Sequence, residues 1–148
     1  FAVLQDPQGA VFGVVGGGPS GEHGGKEPGT FSWHELATTN YEEAFAFYEG
    51  LFGWKKGEAA DMGPMGIYQM YNNGGEDLGG VFNKPAEVPM PFWMLYISVA
   101  DCDAATVKAK ALGAKVMNGP MDVPGGDRIV QLMDPQGVAF ALHSSGAS

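Results

Sequence analysis

The sequence predicts an α+β fold built from paired βαβββ modules, and three observations point to it. A strand that ends in a polar cap and runs into a helix occurs twice, as Trp33-His34-Glu35-Leu36-Ala37-Thr38-Thr39-Asn40 and as Met94-Leu95-Tyr96-Ile97-Ser98-Val99-Ala100-Asp101. Each helix ends at a Leu–Gly stop, Leu51 to Gly53 and Leu112-Gly113. Short apolar runs between glycine-rich turns follow each helix, which is strand spacing.

The elements can be justified in order. The first 15 residues read as a hairpin, Phe1–Leu4 and Ala10–Val15, about the turn Asp6-Pro7-Gln8-Gly9. Proline presets φ at a turn's second position, and glycine tolerates φ > 0 at its end. Residues 16–29 are rich in Gly, Pro and Ser and read as a flexible linker at a domain boundary. A strand is expected at Phe31–Thr38. Asn40 is a good N-cap, with Glu43 at the third helical position. Ala44, Phe45, Tyr48, Leu51 and Phe52 then recur at helical spacing up to Gly53. Trp54–Ala59, Gly66–Tyr71 and Asp77–Phe82 are strand candidates, and Asn83–Pro91, with three prolines, is an exposed connector.

The order then repeats. Phe92–Val99 is a strand, Asp101 caps a helix to about Leu112, and Lys115–Asn118, Arg128–Leu132 and Val138–His143 are strands. The last two are joined by Asp134-Pro135-Gln136-Gly137, and Leu132, Met133 and Phe140 around it match Leu4, Gln5 and Phe12 around Asp6-Pro7-Gln8-Gly9. Residues 1–15 therefore read as the closing hairpin of a preceding, truncated module. Residues 30–148 read as one complete domain, with modules of about 30–90 and 91–148.

The chain has 148 residues, enough for one domain with a sizeable core, and is 45% hydrophobic. Its net charge of −9 repels phosphate backbones and anionic membrane surfaces, so neither nucleic acid nor membrane is an expected partner. No apolar run approaches the roughly 20 residues of a membrane span. The first residues have no basic region and no leader-like core. The single cysteine, Cys102, lies between Asp101 and Asp103, which disfavour a thiolate. It reads as a packing residue and suits a reducing, cytoplasmic location.

Trp33-His34-Glu35-Leu36 with Phe47-Tyr48 and Leu51-Phe52-Gly53-Trp54, together with Val123-Pro124-Gly125-Gly126-Asp127-Arg128 and the closing Asp134-Pro135-Gln136-Gly137, resemble the vicinal oxygen chelate superfamily. That superfamily includes glyoxalases, bleomycin-resistance proteins and extradiol dioxygenases. The resemblance covers residues 30–148 and, partly, 1–15, and is strongest to a subgroup with two such domains in tandem. It implies curved mixed sheets enclosing a cavity open to a small-molecule ligand. In enzymes of this superfamily a divalent metal sits on the concave face and polarises two neighbouring oxygens. The first-strand ligand lies seven residues before the capping Asp or Asn, which here is Trp33 and Met94. The closing-strand carboxylate lies four residues after the turn glycine, which here is Ala141. None of the three binds a hard cation, so no metal cofactor is expected.

Strand alternation places Trp33 and Glu35 on one face, and the resemblance turns that face to the cavity together with Met94, Tyr96, Ala141 and His143. These six residues are the candidate ligand-binding site: mostly apolar and aromatic, with one carboxylate and one imidazole. Trp33 and Met94 read equally as core. Glu35 reads either as a general base or as a carboxylate tied to Tyr96 or a backbone amide. His143, five residues from the chain end, is expected to be solvated and frayed more than catalytic. His34 reads as a packing histidine, and His34-Glu35 is not a zinc motif because Thr38 occupies the second-histidine position.

The resulting expectation is a metal-free module that binds a small amphipathic or aromatic molecule. The alternatives are a metal-dependent lyase, isomerase or dioxygenase, or a purely structural half of a tandem protein. The isolated hairpin is expected to dock on this domain's own sheet or to insert into a neighbouring chain, giving a homodimer or strand exchange.

Overall fold

A computed structural model describes residues 1–18 and 27–146. Residues 19–26, with most of the expected linker and His23, lie outside the described residues. The chain forms two compact units, one from Phe1–Gly21 with His34–Trp93 and the other from Glu22–Trp33 with Met94–Ser148. The division falls at Trp33. The reason is local: Ser98 N donates to Thr30 O and Gly29 N donates to Ser98 O, both at 2.8 Å, which ties the stretch before residue 34 to the second unit.

In the first unit the elements are β3 (Phe31–Thr38, from His34 onward), α1 (Tyr41–Phe52), β4 (Lys55–Asp61), β5 (Ile67–Asn72) and β6 (Asp77–Asn83). Their strand order is β4-β5-β6-β3, with β3 parallel to β6 and the other pairs antiparallel. Asn40 starts α1 as expected. Its backbone is extended, and its side chain accepts from Glu42 N and Glu43 N. Gly53 ends the helix at φ 69°, a left-handed conformation that glycine adopts without a Cβ clash. Ala44, Phe45 and Tyr48 are buried against Leu36, Tyr71 and Val81. Leu51 and Phe52, expected on the same apolar stripe, are exposed, although the Phe52 ring stacks on Tyr48 at 6.2 Å. A 3₁₀ turn at Gly63–Met65 has no counterpart in the sequence reading.

His34 is half-buried, with its Nδ1 3.2 Å from Leu78 O. Burial holds its pKa below the ordinary value, and the backbone hydrogen bond opposes that in part. The unfolded chain then takes up the proton more readily, so stability is complete above about pH 6.5 and falls as pH drops toward the folded value. His34→Gln is expected to flatten this part of the acid sensitivity, measured as the urea midpoint against pH.

The hairpin consists of β1 (Ala2–Gln5) and β2 (Val11–Val14), paired with each other from Ala2↔Val14 to Gln5↔Val11. Asp6 organises the turn: its Oδ1 accepts from Gln8 N, Gly9 N and Ala10 N at 2.9, 2.8 and 2.9 Å. Among the described residues the two strands of the hairpin pair only with each other. The hairpin seats on α1 and the end of β3. Tyr48 OH donates to Asp6 Oδ2 at 2.9 Å, Gln8 Oε1 accepts from Thr38 Oγ1 and Asn40 N, and Phe12 packs edge-on against Tyr48.

In the second unit β7 (Phe92–Ser98, from Met94 onward) is followed by α2 (Cys102–Ala111), β8 (Lys115–Asp122), β9 (Arg128–Met133) and β10 (Ala139–Ser144). The order is β7-β10-β9-β8, with β7 parallel to β10. Asp101 caps α2 by accepting from Ala104 N at 2.9 Å. Cys102, Val130, Leu132 and Leu142 form the core, flanked by Ile97, Val99 and Phe140. Burial pushes the Cys102 thiol up, with Asp103 adding to it, so this cysteine packs rather than reacts. The β9–β10 turn repeats the first hairpin's geometry. Asp134 N donates to Val138 O at 2.9 Å as Asp6 N donates to Ala10 O at 2.8 Å, and Asp134 Oδ1 accepts from Gln136 N and Val138 N.

Candidate ligand site

In the first unit the candidate residue Glu35 lies on the sheet face away from α1. Leu36, Tyr71 and Val81 face the helix, so their neighbours Glu35, Tyr68, Gly80 and Phe82 face the other way. Glu35 pairs in register with Gly80, and Tyr68 with Phe82. Tyr68 OH donates to Glu35 Oε2 at 2.9 Å, and its ring stacks on Phe82 at 5.7 Å and 25°. A Cβ on Gly80 would collide with the Tyr68 ring, so glycine is what lets the ring lie across β6. The result is a half-buried carboxylate bonded to a phenol beside two aromatic rings. The expected partners of Glu35 were Tyr96 or a backbone amide; Tyr68 is a partner that the sequence reading did not name. The signal for it was the Gly79-Gly80 pair inside a strand, which marks a close approach.

The second unit holds the other five candidates. Met94, Tyr96 and Ala141 are buried, and Trp33 is half-buried. Ala141 lies between Tyr96 on β7 and Gln131 on β9. Gln131 Nε2 donates to Tyr96 OH at 2.8 Å across the gap that the small alanine leaves, and Asn118 Nδ2 reaches Gln131 Oε1 at 3.4 Å. Neither Gln131 nor Asn118 was singled out from the sequence. His143 is not frayed: its side chain is 13% exposed, its Nδ1 is 3.0 Å from Ser32 Oγ, and its Nε2 is 2.9 Å from Asp127 Oδ2. Two fixed partners override its nearness to the chain end.

The residues at the three expected metal-ligand positions do not fit a divalent cation. Trp33 and Ala141 offer no donor and Met94 offers only a thioether, which hard cations do not select. Among the described residues no three His, Cys, Asp or Glu side chains converge. A separate open hollow of about 390 Å³ is lined by Met65, Asn83, Lys84 and neighbouring prolines and includes none of the candidates. No described helix is long and apolar enough to cross a membrane.

The two βαβββ patterns, each a helix on a four-stranded mixed sheet, define the class of protein. Residues 30–142 match the family model for the Glyoxalase/Bleomycin resistance protein/Dioxygenase superfamily, and the chain belongs to that superfamily. The chain is 32% identical over 146 residues to "Putative glyoxylase CFP32" of Mycobacterium tuberculosis, covering 96% of this chain and 54% of that protein. It is 31% identical over 133 residues to "Anthracycline biosynthesis protein DnrV" of Streptomyces peucetius, covering 80% and 48%. The chain thus spans about half the length of the curated relatives it matches. Among solved structures it is similar to Streptomyces coelicolor methylmalonyl-CoA epimerase (E43Q) in complex with 2-nitronate-propionyl-CoA. That match has TM-score 0.63 and 18% identity and covers 82% of this chain and 100% of the other. At that identity the likeness concerns the fold alone.

Proposed function

We propose that this domain binds a small amphipathic or aromatic molecule without a metal ion, in the manner of a bleomycin-resistance module. The observation that carries the reading is the Glu35–Tyr68 pair laid across Gly80 and beside Phe82. An aromatic face next to a carboxylate suits a flat ligand that carries a hydrogen-bond donor. In the second unit we assign Trp33, Met94, Tyr96, Ala141 and His143 as further ligand contacts. One relative is an anthracycline biosynthesis protein, which makes polycyclic aromatics the first class to test.

Titration of the protein with such compounds, followed by amide chemical shifts, tests the reading. Glu35→Gln is expected to weaken a donor-bearing ligand by about tenfold or more, the loss of one charge-assisted hydrogen bond. Gly80→Ala is expected to weaken binding comparably at little cost to stability, because the Cβ displaces only a side-chain ring. Shifts elsewhere with none near Glu35, Tyr68 and Phe82 would reject the site. Stoichiometric uptake of Ni, Mn, Fe or Zn after stripping would reject its metal-free character.

A second reading is a lyase, isomerase or dioxygenase, with Glu35 as general base. The hydrogen bond from Tyr68 to Glu35 supports it, because that geometry could pass a proton. Under this reading Glu35→Gln abolishes turnover, whereas the binding reading requires none. A cytoplasmic location and homodimer formation are part of the proposal, the first resting on the one buried cysteine.

A further inference from the structure

We infer that Ser32, His143 and Asp127 form a second reactive site, a serine nucleophile with its base and orienting carboxylate, that takes activated aryl esters. It lies wholly in the second unit and shares only His143 with the proposed ligand contacts, and its chemistry does not require that ligand to bind. His143 stands between a hydroxyl at 3.0 Å and a carboxylate at 2.9 Å, and nucleophile, base and orienting group within hydrogen-bond reach is the signature of an activated serine. The imidazole sits in the opposite sense to the familiar serine-protease arrangement, with the carboxylate on Nε2 and the hydroxyl on Nδ1.

The proton positions follow from the partners. A carboxylate only accepts, so Nε2 carries the hydrogen in the neutral ring, and Nδ1 presents its lone pair to Ser32. Asp127 is itself fixed, since its Oδ1 accepts from Gly146 N at 3.1 Å. Ser32 Oγ also donates to the carbonyl of Tyr96 at 3.3 Å, longer than its 3.0 Å contact with the imidazole. In the neutral ring Nδ1 is therefore the nearer of these two acceptors for the hydroxyl proton. Once the ring is protonated, Nδ1–H donates to Oγ, which can then donate to Tyr96 O.

The reaction balances without a further reagent. Ser32 Oγ bonds to the ester carbonyl carbon as its proton passes to Nδ1 of His143, and Asp127 stabilises the imidazolium. The bond from that carbon to the aryloxy oxygen breaks, and the phenolate leaves with the electron pair and takes the proton from Nδ1. Water then attacks the acyl-serine, giving its proton to Nδ1 and its oxygen to the carboxylic acid, and Oγ recovers its proton. Aryl esters are the fitting class because a phenolate leaves readily once the nucleophile is activated.

The test uses the full chain with a fluorophosphonate probe and 4-nitrophenyl acetate. The expected result is one probe adduct on the peptide containing Ser32, absent in Ser32→Ala, with 4-nitrophenol release lost in the same variant. His143→Gln and Asp127→Asn should slow labelling by about tenfold or more, in line with removal of a general base or its orienting group. Ser32→Ala deletes a single hydroxyl, and an unchanged thermal midpoint would show that it remains folded. Should it unfold, Ser32→Cys provides the second measurement. Its thiol against the imidazole should be alkylated by iodoacetamide at least tenfold faster than in the Ser32→Cys/His143→Gln double variant. No adduct on the parent chain beyond a heat-denatured control, an adduct that persists in folded Ser32→Ala, or equal alkylation rates would overturn the inference.

Discussion

Replacing Gly79 with alanine is expected to cost about 3 kcal/mol or more and to lower the thermal midpoint by on the order of 10 °C. Gly79 is buried on β6, paired in register with His34 on the parallel strand β3. A Cβ there would overlap the His34 carbonyl oxygen and lie 2.8 Å from both the carbonyl carbon of His34 and a ring carbon of Tyr71. The first obstacle is backbone, which cannot turn aside as a side chain does. Strands β3 and β6 would have to part, and Leu36 and Val81 lie on those strands in the core against α1. A domain of ordinary stability, about 5–15 kcal/mol, would lose a large fraction of it. Gly80→Ala, one residue on, meets only the movable Tyr68 ring. Thermal melts of the two variants should therefore differ sharply, and equal midpoints would contradict the strand geometry.

How much of this was legible in the sequence depends on the distance over which each feature is decided. Asn40, Gly53, Asp101 and the two DPQG turns act within a few residues of themselves, and the structure has each in its expected role. β8 runs to Asp122 rather than Asn118, because its pairing with β9 resumes past irregularities that a sequence run does not reveal. The site was harder to read. Glu35 and Tyr68 are 33 residues apart and meet only through the registers of β3, β6 and β5. His143 finds Asp127 at 16 residues and Ser32 at 111, so a rule based on nearness to the chain end misjudged it. The places of Trp33, Met94 and Ala141 follow by counting from the caps and the turn glycine in the pattern that the resemblance implies. Gln131 was not legible in this way, because its role depends on the gap that Ala141 leaves beside Tyr96.

The seat of the N-terminal hairpin was the least legible feature, and it leads to the second large effect. Asp6→Ala is expected to lower stability by about 2–4 kcal/mol and to release residues 1–15 from α1. Asp6 is 5% exposed, and its side chain accepts three turn N–H groups on Oδ1 and the Tyr48 hydroxyl on Oδ2. Tyr48 OH in turn accepts from Trp93 Nε1 at 3.2 Å, so an indole and a phenol form a hydrogen-bond chain in the first unit that ends on the Asp6 carboxylate as acceptor. Burial pushes the Tyr48 phenol well above its ordinary pKa, which keeps it a donor. Alanine removes the terminal acceptor and leaves four donors to find water. The turn can find it only by lifting away, which exposes Ala10 and withdraws Phe12 from the Tyr48, Phe47 and Phe52 rings. That local opening sets a ceiling on the loss, since the rest of the unit keeps its sheet and helix. Tyr48→Phe breaks two of these bonds, the one to Asp6 and the one from Trp93, and should cost about 1–2 kcal/mol. Asp134→Ala removes the matching turn acceptor at a site where Oδ1 holds two N–H groups, and should cost less than Asp6→Ala. Amide exchange at Ala10 and limited proteolysis within residues 1–15 report the release directly. Protection of Ala10 that survives Asp6→Ala would mean that apolar contact alone, not the Asp6 network, holds the hairpin to the helix.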